Sequence, residues 1–310
     1  MQPRKFGNTD IALSPICFGS MRLDSDRISF NDAVTLITHL YDNGVTTFHS
    51  SHEYPTDEFF CQILGQLQKA RPQAELQHIA KLGVPHFDES EFSGKRLVAL
   101  VDKRLQELNT DRLDIVQWLV RHQPNDDAHR LPILEACQAE LNQTWQDLQQ
   151  QGKVGALASF PYSVAFAERV LATDSCKGLV TYLNPLELEM AYLLDDMTKQ
   201  GQGYVAIRPF CGGILTEDNL RSSAFEPAKA QQLKAILSEL DLTLDQANQF
   251  AVQFPLLHPA VASAMLSVTS LEHANIAIAA TQTATVDREL FNRVWEIQNN
   301  LQQDSQLIPS

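Results

Sequence analysis

The chain has 310 residues, 44% of them hydrophobic and 20% charged, with a net charge of −14 at pH 7. That is an ordinary globular composition with length enough for a sizeable core, and the acidity argues against nucleic acid or an anionic membrane as a partner. Five scattered cysteines (Cys17, Cys61, Cys137, Cys176 and Cys211) show no C-x-x-C spacing and read as reduced thiols. No stretch approaches the roughly 18 apolar residues of a membrane span, and the start Met1-Gln2-Pro3-Arg4-Lys5 lacks the apolar run of a signal peptide. The expected location is the cytoplasm.

Arg4 to Pro15 reads as a β-hairpin turning at Asn8-Thr9-Asp10. Ile16-Cys17-Phe18 is a first buried strand ending at Gly19. Ser29 to Tyr41 has a helical period, with Ala33, Leu36, Ile37 and Leu40 on one face, and Asn43-Gly44 ends it. Strand and helix then alternate. Strands are expected at 46–50, 77–82, 114–119, 154–159, 179–184, 204–208 and 263–267. Helices are expected near 57–69, 93–108, 131–150, 163–172, 189–199, 227–239 with 244–254, and 271–281. Together with the strand before Gly19 these make eight units, which predicts a closed α/β (β/α)8 TIM barrel rather than an open doubly wound sheet. Residues 287–300 read as an extra C-terminal amphipathic helix, with Leu290, Val294 and Ile297 on one face. No linker or low-complexity segment interrupts the pattern, so residues 1–310 are read as one domain.

Within this pattern the stretch from Val45 to Pro55 stands out. It begins as an apolar, β-branched run and ends with His49, His52, Glu53 and Tyr54 at the C-terminal end of a strand. In parallel α/β proteins that is where chemistry sits. His49-x-x-His52 has no clear third ligand, so no metal site is read from it.

Several ordered motifs resemble the aldo-keto reductases. They are Phe6-Gly7-Asn8-Thr9 with Phe18-Gly19-Ser20-Met21-Arg22, Asn43-Gly44-Val45-Thr46-Thr47-Phe48 followed by Tyr54, and Ile79-Ala80-Lys81. Leu108 to Asp114 with Gln117, Gly152-Lys153-Val154 with Ser159, Arg208-Pro209-Phe210 with Gly212-Gly213, and Leu257-His258-Pro259 continue the series over nearly the whole chain. The resemblance implies a barrel with an N-terminal hairpin that exchanges a hydride between NADP(H), or NAD(H), and a small carbonyl compound.

It also implies roles. Tyr54 falls on the proton-donating tyrosine and Lys81 on the lysine that lowers its pKa, since a cation favours the phenolate. His49 occupies the position of the lysine's aspartate partner, and Leu119 that of the carbonyl-orienting histidine. His122 is the candidate to take over that donor role from the loop. For the cofactor, Ser159 fits a carboxamide position, Arg208, Phe210 and Gly212 a pyrophosphate loop, and Thr269, Ser270 and His273 the region near the adenosine phosphate. Leucine can neither donate a hydrogen bond nor titrate. Two other readings therefore stay open: a nucleotide-binding sensor or scaffold without catalysis, and a lyase or isomerase on the same barrel.

Overall fold

The alternation of strand and helix closes into a ring. The structure is a computed structural model describing residues 1–306 apart from 88, 124–125, 223–225 and 284–285, with side chains described as far as 301. Among the described residues, eight parallel strands form the barrel: β3 (Ile16–Gly19), β4 (Thr47–Ser50), β5 (Gln77–Gly83), β6 (Leu113–Leu119), β7 (Val154–Ser159), β8 (Cys176–Tyr182), β9 (Gly203–Ile207) and β10 (Val261–Leu266). Each pairs with the next, and β10 returns to β3 with Met265 opposite Cys17. Inward-pointing Cys17, Ile79, Ile115, Ala156, Val180 and Val205 fill the interior, while the alternate residues lie under the helices, as the two-residue period of a strand requires.

One mouth is sealed. β1 (Arg4–Lys5) and β2 (Ala12–Leu13) form an antiparallel hairpin with Arg4 opposite Leu13. Phe6, Ile11 and Leu13 from this hairpin join the interior cluster. Phe6 lies against Gly178 and Gly203 at the N-terminal ends of β8 and β9. At the hairpin turn Gly7 has φ +58°, and a Cβ there would fall 2.2 Å from the Gly201 carbonyl oxygen, so glycine alone fits. The hairpin plugs the bottom and leaves the C-terminal mouth for chemistry.

The helices follow their caps. Ser29, Ser93 and Ser163 each accept a backbone N–H three residues on, starting α1 (Phe30–Asp42), α3 (Gly94–Leu108) and α5 (Val164–Leu171). Between α1 and α3, α2 (Asp57–Ala70) is pinned by Asp57, whose carboxylate takes bonds of 3.0 and 2.8 Å from the buried Arg104 guanidinium of α3. Asp57 also donates its backbone N–H to the Tyr54 carbonyl at 3.1 Å, so this ion pair anchors the turn carrying Tyr54.

Four elements differ from the sequence expectation. The helix expected from 131 begins earlier, as α4 (Asp127–Gln150), and carries Pro132 in its second turn. Asp126 caps it and Asp127 sits in its first turn, which favours an N-terminus there despite the proline. The helix expected at 189–199 is a 3₁₀ turn (Ala191–Leu193) followed by the short α6 (Leu194–Gln200), ended by Gly201 at φ +71°. Strand β8 starts at Cys176, three residues before the expected position, and a further short helix, α7 (Glu217–Ser222), follows β9. The remaining helices are α8 (Pro227–Glu239), α9 (Ala247–Leu256), α10 (Leu271–Thr283) and α11 (Arg288–Gln306). Phe291 of α11 stacks on Phe254 of α9 at 5.1 Å and holds the C-terminal helix against the barrel. Among the described residues no helix is long and apolar enough to cross a membrane.

Candidate active site

β4 ends in a tight turn. Ser51 accepts the Tyr54 N–H on its carbonyl oxygen (3.0 Å) and the Glu53 N–H on its hydroxyl (3.2 Å). The same hydroxyl donates to the Lys81 carbonyl of β5 at 3.3 Å, tying the turn to the neighbouring strand. The turn brings Tyr54, Lys81 and His49 together: the Lys81 ammonium lies 5.3 Å from the Tyr54 ring centre, and the His49 ring 6.0 Å from it.

Lys81 has an acidic partner from the same turn. Its Nζ lies 3.2 Å from Glu53 Oε2, and the two side chains are only 11% and 8% exposed. Arg121 binds the same oxygen at 3.2 Å and donates to the Tyr162 hydroxyl at 2.5 Å. Although His49 replaces the expected aspartate, the lysine still has a carboxylate, delivered from one residue before Tyr54.

His49 is buried and neutral. Burial, more than any other cause, brings its pKa from 6.5 down to about 4, with Lys81 and Arg104 adding to the fall and the Gln117 hydrogen bond opposing it. Gln117 gives its amide N–H to the Val180 carbonyl (2.8 Å), so its oxygen faces His49 Nε2 at 2.8 Å, and that nitrogen carries the proton. A neutral ring neither repels Lys81 nor pairs with it. His78, buried on β5, is held at about 4 as well, chiefly by burial.

Both histidines bind protons more weakly folded than unfolded. Between pH 6.5 and about 4 the unfolded chain therefore takes up more protons, and stability falls as the pH drops through that window. Urea midpoints at pH 7 and pH 4.5 should show this loss, and His49→Gln or His78→Gln should shrink it. An undiminished loss in both variants would place the acid sensitivity elsewhere.

The electrostatics of Tyr54 run opposite to the sequence expectation. Its pKa is raised, first by burial and then by the Glu53 carboxylate, and Arg121 is the cation that pulls it back. The phenol is held protonated. Burial likewise pushes the Lys81 ammonium down, while Glu53 holds it up. His122 takes no part in this cluster: its Nδ1 lies 2.9 Å from Asp126 and its ring stacks on His129 at 3.9 Å. Leu119 is fully buried. Arg121 is the residue that sequence reading passed over. Gln117, Leu119 and Arg121 share one strand parity, and Arg121 extends the β5–β6 pairing by donating its N–H to the Pro85 carbonyl at 2.9 Å.

The expected cofactor residues line the same end of the barrel. Ser159, the last residue of β7, is fully buried and its hydroxyl has no hydrogen-bond partner. Arg208 follows β9 with φ +58°; its guanidinium covers the Tyr182 ring at 5.0 Å and meets Glu187 at 3.3 Å. Gly212 has φ +71°, and a Cβ there would stand 3.1 Å from the Arg208 guanidinium. Phe210, partly buried, packs its ring into the outer core. Thr269 and Ser270 line a cleft of about 360 Å³ with Arg27 and Ser29. Ser270 caps α10, accepting the His273 N–H at 3.2 Å, and the His273 side chain is exposed beyond the cleft. Arg27 is a cation at this cleft that sequence reading did not single out; Asp24 pairs with it at 3.0 Å. Among the described residues no three His, Cys, Asp or Glu side chains are grouped to hold a metal ion.

A sequence model of the aldo/keto reductase family matches residues 15–299, and the chain belongs to that family. Family and fold together support an oxidoreductase. An aldo-keto reductase of Bacillus halodurans, solved in its holo form, shares 18% identity over 96% of each chain with a TM-score of 0.69. A protein of Pseudomonas aeruginosa provisionally described as an aldo-keto reductase shares 21% identity over 90% of this chain and 95% of its own, with a TM-score of 0.63. At these identities the likeness is one of fold. No curated protein sequence matches the chain.

Proposed function

We propose that the chain is an NAD(P)(H)-dependent oxidoreductase interconverting a carbonyl compound and an alcohol, with Tyr54 as the general acid. The observation that carries this reading is the ion pair between Lys81 and Glu53 beside the Tyr54 ring. It supplies the cation that the reaction needs, although His49 stands where the family has an aspartate. A bound nicotinamide supplies the hydride, or accepts it in reverse. Tyr54, kept protonated by its buried setting, gives its phenolic proton to the carbonyl oxygen. As negative charge grows on the phenol oxygen, the Lys81 ammonium and the Arg121 guanidinium offset it in a site of low dielectric. His49, its proton committed to Gln117, holds the layer beneath. Leu119 donates nothing, so the proton comes from Tyr54 alone.

The residues present fit a dinucleotide. The unpartnered Ser159 hydroxyl suits a carboxamide. Arg208, with Gly212 giving it room, suits a pyrophosphate, and Thr269, Ser270 and Arg27 suit a phosphate at the α10 N-terminus. The test is titration of the whole protein with NADPH and NADH, followed by nicotinamide or tryptophan fluorescence. Micromolar binding of either, weakened several-fold by Arg208→Gln, is the expected result. A folded protein that binds neither would favour the sensor or scaffold reading.

A further inference from the structure

The turn carrying Tyr54 also forms one wall of a second space. His52 and Glu53 line a cavity of about 440 Å³ with His86, Phe87, Arg96 and Arg121. Lys81 and Arg121 both lean on one oxygen of Glu53, each at 3.2 Å, and Arg96 pairs with Glu89. Among the described residues three cations thus face two carboxylates, in a protein whose net charge is −14. Arg121 Nε is buried with no hydrogen-bond partner, while Nη1 of the same guanidinium donates to the Tyr162 hydroxyl and Nη2 lies 3.2 Å from Glu53. Its planar face lies 5.0 Å over the half-exposed Phe87 ring, which holds it in place. A guanidinium fixed in this way and short of one acceptor is suited to an oxyanion.

We propose that this cavity binds an anionic group of the substrate, a carboxylate or a phosphate, held by Arg121 and Arg96 while the carbonyl lies at Tyr54. The inference rests on the oxidoreductase reading for the carbonyl but not for the anion. Lys81 and Arg121 on Glu53 Oε2 reduce the repulsion between that carboxylate and the group. His52 on the wall can offer a ring hydrogen bond. Phe87 gives the intervening carbon chain an apolar surface. The contact is binding only and makes or breaks no bond. It predicts a preference for aldehydes that end in an acid over neutral aldehydes of the same length.

Two measurements on the full-length protein separate this inference from the reading beneath it. Calorimetric titration with succinate and with inorganic phosphate needs neither cofactor nor turnover. Binding of one of them, weakened about tenfold or more in Arg96→Gln and in Arg121→Gln and partly kept in Arg96→Lys, is expected for a lost charge-assisted contact. Which anion binds identifies the terminal group. Binding of neither, or binding indifferent to both arginines, overturns the site. The second measurement compares kcat/KM for 4-oxobutanoate and its methyl ester. The acid should be favoured about tenfold through KM, and the ratio should collapse in Arg96→Gln. Turnover with no such preference removes the anion site and leaves the reductase reading intact. Anion binding without any turnover does the reverse.

Discussion

Replacing Tyr54 by phenylalanine should lower kcat/KM for carbonyl reduction by about 10²–10⁴-fold, the usual worth of a positioned general acid. That corresponds to about 3–5 kcal/mol of transition-state stabilisation at 1.36 kcal/mol per factor of ten. The ring remains, so the 5.3 Å approach of Lys81 and the 6.0 Å contact with His49 have no reason to change. Cofactor affinity should stay within about threefold, because the hydroxyl touches none of the residues assigned to the dinucleotide. Only the proton donor is lost; of the neighbouring phenols, Tyr162 has its hydroxyl held by Arg121. His49 has its Nε2 proton on Gln117, His122 is engaged with Asp126 and His129, and Leu119 is inert. Arg121 can stabilise charge but does not give up a proton near neutral pH. Steady-state kinetics beside fluorescence titration separate the two effects. A variant that keeps its rate assigns the proton to another group; one that loses cofactor binding in parallel assigns Tyr54 a structural role.

The fold was legible because each strand of the barrel announces itself locally. Buried parallel strands are short apolar runs, and turn residues separate them from helices with a 3.6-residue period. The elements that differ are those governed by something other than period. Pro132 would suit the first turn of a helix starting near 131, yet the Asp126 cap starts α4 four residues earlier. After β8 an isolated bridge between Asn184 and Glu187 and a 3₁₀ turn at Ala191–Leu193 come before α6, so the regular helix starts late. Tyr54 and Lys81 could be named as site residues only through the family resemblance; their chemistry depends on neighbours that resemblance cannot supply. Glu53, the partner of Lys81, lies in a turn, where alternation no longer says which way a side chain points. Sequence reading could therefore see that the aspartate was missing without seeing what stands in for it. Arg121 was within reach of the same rules. Parity with Gln117 and Leu119 puts it on the inward side, and puts His122 on the other.

Glu53→Gln should be the most damaging change to stability at this site, and it tests whether Glu53 is the stand-in. The carboxylate is 8% exposed and serves two cations, Lys81 at 3.2 Å and Arg121 at 3.2 Å. Gln keeps the size and removes the charge, which leaves a nearly buried ammonium and a guanidinium without their counter-ion. Breaking a buried ion pair from one side costs about 3–5 kcal/mol, so thermal or urea unfolding at pH 7 should show a loss of about 3 kcal/mol. The pH dependence carries the sharper signature. Burial already lowers the folded pKa of Lys81, and Glu53 is what raises it. Without Glu53 that value falls further below the unfolded one. Between the two values the unfolded chain holds more protons, so stability rises with pH. In the variant this rise begins at lower pH and is larger, and the deficit against the parent narrows towards pH 10 as Lys81 loses its proton in both. The alkaline limb of the pH–rate profile should move to lower pH in step, because the cation that offsets the developing phenolate disappears sooner. A variant with the parent's stability and an unshifted limb would falsify the pairing, and with it the claim that the aspartate's task has passed to the residue beside the tyrosine.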